Sequence, residues 1–138
     1  MTVEPLENGD QTMYVQVARR TRCDGTSLTL VDLAPSTVFL AGPPAGAVGH
    51  LPTGQFLDHW YAEPGGTATR AVPAVLSLLD ADRAPASDVR VLLSLPRIRD
   101  AGLEYQVRIL DGDIPPTSGA CVLFIQPPVP PAPLRVPA

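Results

Sequence analysis

The chain has 138 residues and a net charge of −4, with fourteen acidic residues, ten arginines and no lysine. That length fits one domain, and 45% hydrophobic against 17% charged residues supplies a core of ordinary size, which excludes wholesale disorder. Without lysine there is no Schiff-base or phosphate-loop lysine, and an acidic chain whose basic residues group only at Arg19, Arg20 and Arg22 argues against nucleic acid as a partner.

Arginine in place of lysine, with abundant Ala, Pro and Gly, is what a GC-rich genome encodes and points to an actinomycete-like bacterial source. Residues 1–10 carry Glu4, Glu7 and Asp10 and read as a flexible acidic arm. They lack the basic and apolar regions of a signal peptide, and no apolar run approaches the roughly 20 residues that cross a bilayer. The expectation is a cytoplasmic protein with no membrane contact, in which Cys23 and Cys121 match no metal spacing and stay as free, buried thiols.

From residue 11 to 126 the dominant period is two, the signature of strands. Residues 12–18 set Met13, Val15 and Val17 as an apolar face opposite Tyr14 and Gln16. Residues 27–33 and 36–41 give two strands broken at Ala34-Pro35, and Gly42-Pro43-Pro44-Ala45-Gly46 is a rigid connector whose prolines remove the backbone donors a phosphate loop needs. Thr53 is an N-cap for a helix near residues 53–61 with Phe56, Leu57 and Trp60 on its inner face, ended by Pro64-Gly65-Gly66. So short a helix needs tertiary packing and reads as a lid or plug on the sheet.

Further strands follow at 74–79, 89–95, 103–110 and 119–126; in the third, Leu103, Tyr105, Val107 and Ile109 alternate with Glu104, Gln106 and Arg108. Asp24-Gly25, Asp100-Ala101-Gly102 and Asp111-Gly112-Asp113 supply the turns between alternating segments. From Pro127 to Ala138, six prolines in twelve residues form a proline-rich tail outside the core. The predicted fold is therefore all-β: one antiparallel β-sandwich, or a partly open barrel, of about seven strands with one short inserted helix.

Reactive side chains concentrate in residues 49–63, which hold both histidines. If the helix caps a cavity, the acid/base candidates are His50, His59, Asp58 and Tyr61, because imidazole alone titrates near neutrality unperturbed. The ligand-binding candidates are Trp60, Phe56 and Tyr105. No metal spacing and no cofactor motif is present, and Asp80-Ala81-Asp82 and Asp111-Gly112-Asp113 read as surface turns rather than calcium loops.

Residues 34–40 (APSTVFL), 48–53 (VGHLPT), 56–60 (FLDHW), 74–77 (AVLS) and 122–125 (VLFI), taken in order, resemble a group of small, uncharacterised prokaryotic β-rich proteins. In that group a Ser-Thr-aromatic strand, a Gly-His turn, a helix ending in Trp, a Pro-Asn-Ala stretch and a final Leu-Phe-Ile strand follow one another. The resemblance spans roughly residues 27–126 and implies a fold only. This chain departs from it at Val72-Pro73-Ala74, where the group has Pro-Asn-Ala.

Two functions suit this chain. One is a small, soluble, non-catalytic binding or accessory module recognising an apolar small molecule or a protein partner. The other is a cofactor-independent cyclase or isomerase with an apolar cavity and a His or Tyr acid/base group. Leu92, Val122 and Phe124 fall opposite the core positions of their strands, which makes a homodimer a candidate arrangement.

Overall fold

The computed structural model describes residues 12–42, 46–62, 71–79, 87–100 and 102–126. The acidic arm, the proline-rich tail, Pro43-Pro44, Pro64-Gly65-Gly66 and Asp80-Ala81-Asp82 lie outside the described residues.

The elements run β1 (Thr12–Cys23), β2 (Ser27–Leu33), β3 (Ser36–Ala41), β4 (Val48–Pro52), α1 (Thr53–Ala62), β5 (Val72–Leu78), β6 (Ser87–Arg99), β7 (Gly102–Asp111), β8 (Thr117–Ser118) and β9 (Cys121–Ile125). Every pairing is antiparallel. The sheet follows the order β2-β7-β6-β5-β9-β1, and β2 also pairs with β1, so these six strands close on themselves. The architecture is a six-stranded barrel with β3, β4 and β8 outside the ring, which corrects the sandwich.

Closure depends on the length of β1. Its second half pairs with β2 (Ala18 opposite Leu33, Cys23 opposite Leu28) while Tyr14 to Ala18 pair with β9 on the other edge. One strand thus joins both ends of the ladder, and a barrel has no exposed edge there to manage. The β1–β2 hairpin turns at Asp24-Gly25: Asp24 Oδ1 accepts the backbone N–H groups of Thr26 (3.0 Å) and Ser27 (2.8 Å), which lowers the Asp24 pKa, and Gly25 holds the φ of 99° that an L side chain avoids.

The interior is one cluster of side chains from all six barrel strands, α1 and Leu51 of β4, with Leu28, Leu30, Leu76, Leu93, Leu103 and Leu123 fully enclosed. On β7 the alternation holds as read, with Leu103, Tyr105 and Val107 buried. On β1 it is inverted: Tyr14, Gln16 and Ala18 point inward and Val17 is 46% exposed. Both alternations of this strand carry large apolar residues, and hydrogen bonds offered to Gln16 inside the barrel decide between them. The thiols also differ from expectation, since Cys121 is buried whereas Cys23 is only half-buried. No helix of the described residues is long and apolar enough to span a membrane.

Candidate functional site

Helix α1 forms the plug that the spacing of Phe56 and Trp60 predicts. Phe56 packs edge-on against Tyr14 (ring centroids 5.2 Å apart) and against Trp60 (5.9 Å), and Trp60 lies 6.0 Å from Tyr105. Such tilted pairs place the positive ring edge near a neighbour's negative face. Phe56, Trp60 and Tyr105, the ligand-binding candidates, are therefore together, but they are buried and occupy the barrel end themselves.

A polar thread runs beneath them. Tyr105 donates its hydroxyl to Gln16 Oε1 (2.7 Å), Gln16 Nε2 donates to Thr37 Oγ1 (3.2 Å), and the Thr37 and Thr53 hydroxyls share a contact of 3.3 Å. The Pro35 carbonyl then accepts both the backbone N–H of Thr53 (3.1 Å) and its hydroxyl (3.3 Å). Thr53 thus starts the helix while fastening it to the β2–β3 corner, so the helix end and the barrel core are one connected unit. Enclosure pushes the Tyr105 phenol far above its ordinary pKa, only partly offset by the bond to Gln16.

The acid/base candidates do not converge. His50 is exposed on β4, opposite Val38, and Asp58 is exposed on the outer side of α1. His59 is half-buried, and its enclosed Nδ1 has no hydrogen-bond partner among the described residues. Tyr61 is 43% exposed and donates its hydroxyl to the Pro96 carbonyl (2.8 Å). Burial raises its pKa, against an opposing pull from Arg97. The Pro96 carbonyl is presented by an irregularity in β6, where Leu95 has a φ of 51° and the register shifts between Ser94 and Arg97. Clefts of about 390 and 270 Å³ open on the outer face of β1, β2 and β7, and neither is lined by His50, Asp58, His59 or Tyr61.

The inversion of β1 places a second set of apolar side chains on the outside. Val15 lies opposite Val38 on β3 and Phe124 on β9, and Phe124 lies opposite Val75 on β5. Parallel to that row run Met13–Leu40–Val48 and Val17–Val122. Val38, Val17 and Val48 are 37%, 46% and 72% exposed. The signal for this face was the apolar alternate set Met13, Val15 and Val17; β4, short and interrupted by glycine and proline, gave none.

At the end of these rows, β4 is the last strand of the sheet path. Ala41 N–H donates to Ala47 C=O and Thr53 N–H to Pro35 C=O, and antiparallel pairs alternate between bonded and non-bonded. Gly49 and Leu51 therefore bond to β3, while the backbone groups of Val48, His50 and Pro52 point to the edge that no described strand pairs. Pro52, which has no N–H, sits where none is needed. Among the described residues the molecule is a six-stranded β-barrel plugged by a helix, with an apolar outer face that ends in a strand paired on one edge. No family model, curated protein or solved structure matches the chain.

Proposed function

We propose that this chain is a non-catalytic binding module whose recognition surface is the outer face of β3, β1, β9 and β5 together with the open edge of β4, and that its partner is a second copy of the chain. The observation that carries the reading is the uninterrupted apolar row Val38–Val15–Phe124–Val75 across four strands. A contiguous apolar face of that kind is rare on a monomer surface. The β4 edge is self-complementary in antiparallel sense: pairing about His50 gives two N–H···O=C bonds between the two His50 residues. Two more run from Val48 N–H to the Pro52 carbonyl of the other copy, and Pro52 needs no acceptor in return.

The catalytic reading needs an acid/base group inside an enclosed cavity. His50 and Asp58 instead face solvent, the Tyr61 hydroxyl is held by Pro96, and half-buried His59 lines neither described cleft. Light scattering on size-exclusion fractions tests the proposal. The wild type is expected at twice the 14.6 kDa chain mass. Val48→Lys, which sets a charge on the edge, and His50→Pro, which deletes the central donor, are expected to be monomers with unchanged circular dichroism. A wild type that stays monomeric at sub-millimolar concentration overturns the reading.

A further inference from the structure

Away from the apolar face, the outer surface of the second half of β1, of β2 and β7 and of the end of β6 carries most of the described arginines. The registers align two rows across these four strands. Arg22 lies opposite Thr29, Thr29 opposite Glu104 and Glu104 opposite Arg97. Next to it, Arg20 lies opposite Val31, Val31 opposite Gly102 and Gly102 opposite Arg99. The second row has no side chain at position 102. A Cβ there would run into the Leu30 carbonyl oxygen, so the close approach of β7 to β2 requires glycine and leaves a gap. That gap, floored by Val31 at 8% exposure, is the cleft of about 390 Å³.

The charges around it are unevenly matched. Asp32 is held by Arg20 (3.1 Å), while one oxygen of Glu104 receives both Arg97 (2.8 Å) and Arg99 (3.5 Å). Arg22 has no ionic partner among the described residues and borders both this cleft and its smaller neighbour. Asp100 is the third carboxylate on the rim, so Arg20, Arg22 and Arg99 line the cleft against Asp32, Asp100 and Glu104, and Arg97 beside it gives the Glu104 carboxylate a second guanidinium partner. Asp32 and Asp100 both hold positive φ, 57° and 50°, a conformation that Asp tolerates better than most side chains. Guanidinium groups present paired N–H donors in a fixed plane, which suits the oxygens of a carboxylate or phosphoryl group.

We infer that this cleft binds a small molecule bearing an oxyanion, gripped by Arg22 and Arg99 while the body of the ligand rests on Val31. The site is independent of the self-association surface and survives its failure. Titrating the full-length, nitrogen-15-labelled chain with inorganic phosphate and, separately, with succinate tests it, with the amide resonances of Arg22, Val31 and Gly102 as the readout. Saturable shifts confined to these positions, weakened by added salt, are the expected result, and the probe that binds more tightly identifies the phosphoryl or carboxylate source. Arg22→Gln is expected to weaken binding about tenfold, the loss of one charge-assisted pair. Arg108→Gln, exposed on β7 opposite Leu92 and outside the cleft, is expected to change nothing. Shifts that rise without saturating, or an equal loss in both variants, overturn the assignment.

Discussion

Tyr105 donates its phenolic hydrogen to Gln16 at 2.7 Å, across 89 positions of chain and within the barrel. A buried amide is tolerated only when its hydrogen bonds are met, and here the carbonyl takes Tyr105 while the amide nitrogen gives to Thr37. Gln16→Leu strands the Tyr105 hydroxyl and is expected to destabilise by about 1–3 kcal/mol, with Tyr105→Phe near the low end of that range. The double variant is expected to lose less than the sum, by about 0.5 kcal/mol or more, because each single change already removes the shared bond. Urea unfolding followed by circular dichroism measures all three; additive losses mean the two residues are not coupled.

Trp60 is 7% exposed and touches Phe56 and Tyr105, so its emission is expected to be blue-shifted in the folded protein and to move red on unfolding. Trp60→Ala is expected to cost about 3–5 kcal/mol through the cavity it leaves. Tyr61→Phe, which deletes only the bond to Pro96, is expected to cost about 1 kcal/mol. Comparable losses in the two variants would mean that helix α1 is held by its polar end rather than by its apolar face.

How much of this was legible depends on where the deciding partner sits. The β7 alternation and the Thr53-to-Trp60 helix were readable because their patterns are local and one-sided. The β1 face was not, since Met13, Val15 and Val17 look as apolar as Tyr14 and Ala18, and the residue that settles the question, Tyr105, lies far along the chain. Barrel closure was equally hidden: β1 pairs with β2 and β9 at once, a fact of register rather than composition. The strand read at 89–95 runs further than its apolar stretch, since β6 passes Pro96 by an irregularity and continues to Arg99. Arg20 and Arg22 stood out as a short basic group, but only pairing brings Arg97 and Arg99 alongside.

Burial pushes the Cys121 thiol up from 9.0 to about 11 and the Tyr105 phenol well above 10.0. Both are acids whose neutral form the fold favours. Above pH 9 to 10 the unfolded chain releases these protons while the folded one keeps them, so the unfolded state binds fewer protons and stability falls as pH rises. It is fully present below pH 9. The expected result is a urea midpoint that declines from about pH 9 upward, with a smaller decline in Cys121→Ala. At pH 8 an alkylating reagent is expected to modify half-buried Cys23 well before Cys121, whose thiolate fraction is about a hundredfold lower than that of an unperturbed thiol. Equal labelling rates in the folded protein would sink this account.

Gly102 stands where the barrel wall and the arginine cleft meet, and its substitution separates the two. Its φ is not the constraint; the Leu30 carbonyl is, with the Val31 Cα also within 3.4 Å of the position a Cβ would take. These are backbone atoms and cannot rotate aside, so Gly102→Ala must part β7 from β2 and is expected to destabilise by about 1–3 kcal/mol, the range for overpacking. Because Val31 and Arg99 flank position 102 in the same row, the strain is expected to shift their amide resonances, while those of β3 and β4 stay in place. Thermal unfolding with a nitrogen-15 correlation spectrum of the variant checks both parts. A variant as stable as the wild type would mean that β2 and β7 approach less closely than their register requires, and would remove the reason for the gap that forms the cleft.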